Sequence, residues 1–282
     1  QTDAQVVAVT VDQDGKIVEC VIDAIQAKIA FGADGSLKTD VATTFKTKNE
    51  LGADYGMVKA SGIGKEWFEQ AAALAEYVKG KTVDEVLAIG VDDEKHPTDA
   101  DLTSSVTMKI DSYVAAIAKA AQNAQSIGAG AGDKLGLGIV TDMHQSKAAT
   151  ADAAGSAQSY SFMTAVTYND QGVITSCIMD ALQGTVAFDA KGQITSDVSV
   201  APQTKNELGD AYGMKAASPI GKEWYEQANA FAAYLIGKTA AAVEGIALDA
   251  STKPTDADLT ASVTISAGDF KAASLKAIAN AQ

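Results

Sequence analysis

Two stretches of the chain gather hydroxyl groups behind an aspartate. Asp101-Leu102-Thr103-Ser104-Ser105-Val106-Thr107 recurs 157 positions later as Asp258-Leu259-Thr260-Ala261-Ser262-Val263-Thr264. Each run closes on a threonine, Thr107 or Thr264, whose hydroxyl is a group for covalent attachment. The plain alternative is an ordinary strand, because Val-Thr-Met-Lys-Ile has strand-forming residue types. Other chemistries lack their residues. The chain has two histidines, His96 and His144, and no CxxC, so it offers no ligand set for zinc or an iron–sulfur cluster. Redox chemistry would therefore need an organic cofactor. No Ser/His/Asp grouping recurs in both halves, which leaves nucleophilic hydrolysis without support. His96 is matched by Lys253 in the repeat and reads as a solvated loop residue. Asp12, Asp14 and Gly15 resemble part of a calcium loop, but the further ligands that loop requires are missing.

The elements that must position these residues are duplicated too. At the same offset of 157, Thr47-Lys48-Asn49-Glu50-Leu51-Gly52 meets Thr204-Lys205-Asn206-Glu207-Leu208-Gly209, and Tyr55-Gly56-Met57 meets Tyr212-Gly213-Met214. Ile63-Gly64-Lys65-Glu66-Trp67 meets Ile220-Gly221-Lys222-Glu223-Trp224, and Gln125 meets Gln282. The expected organisation is a first domain over 1–125, a Gly/Ala-rich joint over 126–134 and a second domain over 135–282. Leu135 to Val140 reads as a strand opening the second domain. Its counterpart would precede Gln1, so either that strand is dispensable or part of the first domain lies upstream.

Within a copy, Val7–Val11 and Ile17–Ile22 flank Asp12-Gln13-Asp14-Gly15, the pattern of a hairpin. Apolar spacing predicts a helix over Lys65–Lys79 with Gly80 past its end. Thr82 and Glu85 form a capping box for a shorter helix. A last helix starts at Asp111 and carries Val114, Ile117, Ala118 and Ala121 on one face. Strands followed by helices imply an α+β domain, an antiparallel meander packed with helices.

Composition narrows the partners. The chain of 282 residues carries a formal charge of −14, and all 22 of its cationic residues are lysines. A surface of that sign without the arginine fork argues against nucleic acid. No apolar run approaches the roughly 18–20 residues of a membrane span, and the first residues lack a signal pattern, so any secretion signal or lipid anchor is removed or lies upstream. Cys20 and Cys177 are equivalent positions in separate copies and read as buried, reduced core residues rather than a disulfide.

The two hydroxyl-rich runs resemble the flavinylation motif of the FMN-binding domain family, found in subunits of sodium-pumping quinone reductases, in Rnf complexes and in secreted flavoproteins. The resemblance extends over nearly all of each copy. Asp-Gly-Lys-Ile-Val-Glu, Lys-x-Glu-Leu-Gly-x-x-Tyr-Gly-Met and Gly-Lys-Glu-Trp are similar to the tandem FMN-binding lipoproteins of flavin-based extracellular electron transfer in Gram-positive bacteria. It implies that a separate FMN transferase esterifies Thr107 and Thr264 with the FMN phosphate, giving two covalent FMN groups. Small neighbours would let that enzyme reach the backbone. The match departs from the family pattern at Ser105 and Ser262, where glycine is commonest, at Val106 and Val263, where alanine is usual, and at Ala261, which lacks the hydroxyl of Ser104. Thr103, Thr260, Ser104, Ser105 and Ser262 belong to the motif.

A phosphoester holds one end of FMN, so the ring needs an apolar slot. Tyr55, Met57 and Trp67, with Tyr212, Met214 and Trp224, are candidates to wall it, or else core packing. Lys48 and Glu50, with Lys205 and Glu207, either meet the ring's polar edge or phosphate, or pair at the surface. Asp101 and Asp258 either position the acceptor hydroxyl or cap a turn. The resemblance implies an electron carrier rather than an enzyme. It would be extracellular and lipid-anchored to the outer face of the cytoplasmic membrane, taking electrons from a membrane quinone or dehydrogenase system and passing them to acceptors such as ferric iron. The competing reading is a cell-surface binding or adhesion module that keeps the duplicated fold and holds no flavin.

Overall fold

Alternating apolar residues around Asp12-Gln13-Asp14-Gly15 form the expected hairpin, β1 (Thr2–Val11) against β2 (Ile17–Ala27), antiparallel. Asp12 Oδ1 accepts the backbone N–H groups of Asp14 and Lys16 at 2.9 Å each, and Gly15 takes φ +77°, the turn chemistry that lets the strands reverse. The computed structural model describes residues 1–281.

After β3 (Thr44–Phe45) comes a single-turn helix, α1 (Lys48–Leu51), whose N-cap Thr47 and Glu50 complete a capping box. A 3-10 turn (Gly52–Tyr55) leads to α2 (Trp67–Tyr77). That helix is two residues shorter at each end than the spacing predicts. Glu66 stays extended as its N-cap, its N–H donating to the Glu69 carboxylate at 2.8 Å, and Val78 closes it ahead of Gly80 at φ +77°. Thr82 and Glu85 open α3 (Val83–Leu87) as their spacing requires. Then follow α4 (Ala100–Thr103) and α5 (Asp111–Gln122). The cap of α5 is Ile110, not Asp111; the aspartate sits in the first turn, where its charge suits the positive end of the helix dipole.

The second half repeats the hairpin and the helix order, with a strand ahead of the hairpin and none at the place of β3. β4 (Lys134–Asp142) precedes the hairpin β5 (Gly155–Tyr168) and β6 (Ile174–Phe188). The antiparallel sheet runs β3-β4-β5-β6. Then come α6 (Lys205–Leu208), a 3-10 turn (Gly209–Tyr212), α7 (Trp224–Leu235), α8 (Ala240–Glu244), α9 (Ala257–Thr260) and α10 (Gly268–Asn280). The fold thus mixes helices with antiparallel sheets.

Each half has its own apolar cluster. Leu74, Leu102, Val106 and Ile117 are central to the first, and Phe231, Leu259, Val263 and Phe270 to the second. A third cluster joins the halves, with Ala8, Ile25 and Ala27 of the first hairpin against Leu135, Leu137 and Ile139 of β4. Contacts between the halves are reciprocal. Lys119 pairs with Glu207 and Lys276 with Glu50, the same two repeat positions exchanged. Phe31 stacks on its own counterpart Phe188 with ring centroids 4.1 Å apart. Thr2 meets its counterpart Ser159 at 2.8 Å. A surface that contacts its own duplicate in this exchanged way is related by a two-fold axis.

Both cysteines are buried and unpaired, and burial pushes each thiol up to about 12. They are core side chains, as their equivalent positions imply.

Candidate functional site

A cavity of about 400 Å³ opens in the second half, within the roughly 300–1,000 Å³ usual for small-molecule sites. Its apolar walls are Tyr160, Phe162, Tyr212, Met214 and Trp224. Tyr160 and Phe162 stand two apart on β5 and so face the same side of the sheet. Trp224, the first residue of α7, is 3% exposed and lies 5.7 Å from the Phe270 ring and 6.5 Å from the Tyr212 ring. Asp142 and His144, from β4 and the loop after it, complete the polar side with Lys253, Thr264 and Asp269. Burial and the charge of Asp142 push the Asp269 carboxyl up from its ordinary range.

Two buried polar side chains, Gln227 and Glu223, and the half-buried Asp180 build this site. Gln227, on the core-facing side of α7, is fully buried, and its Oε1 accepts the backbone N–H of Thr264 at 2.8 Å and the Thr264 hydroxyl at 3.0 Å. Its Nε2 donates to Ser218 Oγ and to the Lys222 carbonyl. One amide thus joins the hydroxyl-bearing loop to the start of α7. Glu223 accepts the backbone N–H groups of Met214 and Lys215 at 2.9 Å each, fixing the Tyr-Gly-Met turn. Asp180 on β6 accepts the N–H of Asn206 at 3.0 Å and so seats the start of α6; burial pushes its carboxyl up, against the pull of these hydrogen bonds.

Lys205 is the buried cation of the cavity, Lys253 being exposed. It is 4% exposed, and its Nζ lies 4.4 Å from the Tyr212 ring centroid, 4.6 Å from Tyr160 and 5.0 Å from Trp224, while donating to the Tyr160 hydroxyl. Burial lowers its amine to about 8, with the Asp180 charge pulling the other way. The ring faces stabilise the cation in part.

The first half repeats the scaffold with fewer walls. Gln70 Oε1 accepts the N–H of Thr107 at 2.8 Å and of Met108 at 3.0 Å, with the Thr107 hydroxyl farther off at 3.4 Å. Glu66 accepts from Met57 and Val58, and Asp23 from Asn49. Lys48 Nζ lies 4.7 Å from the Tyr55 ring and 5.1 Å from Trp67, whose Nε1 donates to the Tyr113 hydroxyl. Where the second half has Tyr160 and Phe162, the first has Asp3 and Gln5.

Of the residues singled out in the sequence, the structure brings Lys205, Tyr212, Met214, Trp224 and Thr264 to one cavity. It places their first-half counterparts Lys48, Tyr55 and Trp67 together, with Met57 in the same core cluster as Tyr55 and Trp67. It does not bring in Glu50 and Glu207. These close the capping boxes of α1 and α6 and pair with Lys276 and Lys119 of the opposite half. Asp101 and Asp258 are exposed in the first turns of α4 and α9; the caps are Asp99 and Asp256. Thr103 and Thr260 turn their hydroxyls onto the Ala100 and Ala257 carbonyls at 3.3 Å, and Ser262 onto Leu259 at 3.2 Å. Ser104 is exposed, and Ser105 donates its backbone N–H to Leu102. Val106 and Val263, which stand where the resembled motif has alanine, are buried core residues. The run from Val106 to Ile110 is not a strand.

The glutamines were not among the sequence candidates. Their signal was present: Gln70 and Gln227 are one identical repeat position, on the same helical stripe as Trp67, Ala71 and Leu74 in the first half. No family model matches the chain and no solved structure matches it. A stretch of 42 residues is 57% identical to a chlorophenol reductase of Desulfitobacterium hafniense, covering 15% of this chain and 13% of that protein.

Proposed function

We propose that the protein is an electron carrier with two FMN groups, joined as phosphoesters to Thr264 and Thr107, the two repeats serving as FMN-binding domains over 1–125 and 135–282. The observation that carries this reading is the cavity of the second half, where a threonine hydroxyl opens onto a slot walled by two tyrosines, a phenylalanine, a tryptophan and a methionine. The residue set fits the group. Flat aromatic faces suit an isoalloxazine ring, and a buried ammonium suits its polar edge or phosphate. Thr264 gives its hydroxyl proton to Gln227, and its oxygen accepts no hydrogen bond among the described residues. FMN, when bound, would supply the acceptance and release of electrons.

Gln227 and Gln70 orient the acceptor loops, Glu223 and Glu66 hold the Tyr-Gly-Met turns, and the rings supply the apolar wall of the second slot. A covalent bond suits a carrier outside the cell, where a dissociated cofactor would diffuse away. The lipid anchor, the transferase, the quinone or dehydrogenase donor and the ferric acceptor enter this proposal from the family resemblance. Among the described residues no helix is long and apolar enough to cross a membrane. The similar protein's name, a chlorophenol reductase, is also that of a redox protein.

Intact mass after coexpression with an FMN transferase tests the reading. Two additions of about 440 Da, FMN less water, are expected with absorbance at about 450 nm, and Thr107→Val with Thr264→Val removes both. Colourless protein at its amino-acid mass sinks the proposal and returns the chain to a binding module without flavin.

A further inference from the structure

In the second half β4 runs along the outer edge of β5, and α10 lies directly on it. A Cβ on Gly136 would stand 1.9 Å from the Ala277 carbonyl oxygen, and one on Gly138 1.9 Å from that of Ala273. Both alanines are fully buried. Lys276 Nζ donates to the Ile139 carbonyl at 3.0 Å and Asn280 Nδ2 to the Leu137 carbonyl at 3.2 Å. On its other face β4 puts Leu135, Leu137 and Ile139 against the first hairpin.

The first half has each of these features except the strand. Among the described residues β1 has one strand neighbour, β2. Ala116 and Ala120 of α5 occupy the positions of Ala273 and Ala277 but are only half-buried. Lys119 and Asn123 repeat Lys276 and Asn280, with no strand carbonyl to meet. The hairpin faces agree. Val21 packs against β4, whereas its counterpart Ile178 is 47% exposed. An open edge beside an apolar residue is a template for strand addition.

We infer that β1 takes one further antiparallel strand of the β4 type, contributed by polypeptide joined ahead of Gln1. Its small residues face Ala116 and Ala120, its larger apolar residues cover Ile178, and its carbonyls meet Lys119 and Asn123. The period of two along a strand makes this alternation a requirement of the slot. The inference is independent of any flavin.

The test extends the chain ahead of Gln1 with a copy of residues 134–157, which keeps the repeat spacing, and follows amide hydrogen exchange in β1. Exchange of the β1 amides not bonded to β2 should slow by about tenfold or more in a monomer. A second extension carrying valine at the positions of Gly136 and Gly138 should give no such slowing, and it leaves the residues of the present chain unchanged. Unchanged exchange with the first extension, or equal protection from the valine version, overturns the inference. So does protection that appears only in a dimer, because the strand then comes from a second copy.

Discussion

Lys205 and Lys48 hold the same place in the repeat, each opening a one-turn helix capped by threonine and glutamate. Yet Lys205 is buried against three rings, while Lys48 is half-buried against two. The polar frame is common to both halves: Gln70 or Gln227 under the threonine, Glu66 or Glu223 under the Tyr-Gly-Met turn, Asp23 or Asp180 under the lysine helix. What differs is the wall. β4 and the Tyr160–Phe162 pair close the second site; in the first, Asp3 and Gln5 stand at the positions of the pair and no strand among the described residues takes the place of β4. Duplication has kept the hydrogen bonds that define where the threonine sits, while the side chains that decide how enclosed it is have diverged.

The largest effect should come from removing the wall. Gly138→Val puts branched carbon where a single Cβ already falls 1.9 Å from a backbone carbonyl, and a helix backbone cannot give way as a side chain can. Urea unfolding should show a loss of roughly 3 kcal/mol or more. No described residue of the first half occupies the place of Gly138, so this substitution breaks the comparison on one side only. A near-neutral result would mean that α10 does not rest on β4.

Next come the glutamines, which probe the shared frame. Gln227→Leu and Gln70→Leu each leave buried N–H and hydroxyl groups without an acceptor, at roughly 2–3 kcal/mol apiece. Each glutamine accepts its threonine's backbone N–H at 2.8 Å and donates to the equivalent serine and lysine carbonyl, so the two losses should be similar. If one glutamine costs less than half of the other, the frame is not common to both sites.

That frame was only partly legible beforehand. Hairpin, capping boxes, the β4 strand and the buried cysteines follow from local signals: a turn glycine, a Thr-x-x-Glu spacing, an apolar run, a repeat offset. The hydroxyl-rich run is resolved only by the fold around it. The sequence singles out Thr107 as the acceptor with Thr103, Ser104 and Ser105 as its neighbours; α4 is one helical turn, so Thr103 satisfies its own helix and Val106 turns into the core. Tyr160 and Phe162 were invisible as wall residues because alternation along β5 says only that they share a face, and which face meets α10 is a long-range outcome. The glutamines stood in plain sight as identical polar residues on an apolar helical stripe, and weighing burial against polarity there would have found them.

A smaller effect distinguishes the lysines by pH. Below about 8, Lys205 is protonated in both the folded and the unfolded chain, and the folded state bears the cost of burying that charge. Above about 8 the folded amine releases its proton while the unfolded one keeps it until about 10.5. The unfolded chain then binds more protons, so stability attributable to Lys205 rises with pH across this window. Comparing Lys205→Met with the parent at pH 7 and pH 10 should show the variant's relative advantage shrinking by roughly 1–2 kcal/mol. The ring faces keep this below what the lowered amine alone would give. A constant difference would show that the cage leaves the amine as basic as a free lysine.

The smallest effects lie in the exchanged ion pairs, and they sharpen the comparison most directly. Among the described residues Lys119 has one partner, Glu207 at the surface, so Lys119→Met should change stability by about 0.5 kcal/mol or less. Lys276 reaches Glu50 in the same way but also donates to the Ile139 carbonyl on β4. Its replacement by methionine should cost roughly 1 kcal/mol, the excess being the strand carbonyl that the first half lacks. Supplying β1 with a strand ahead of Gln1 should raise the cost of Lys119→Met towards that of Lys276→Met. Equal costs without such a strand would show that the carbonyl contributes nothing and that the two edges do not differ at this position.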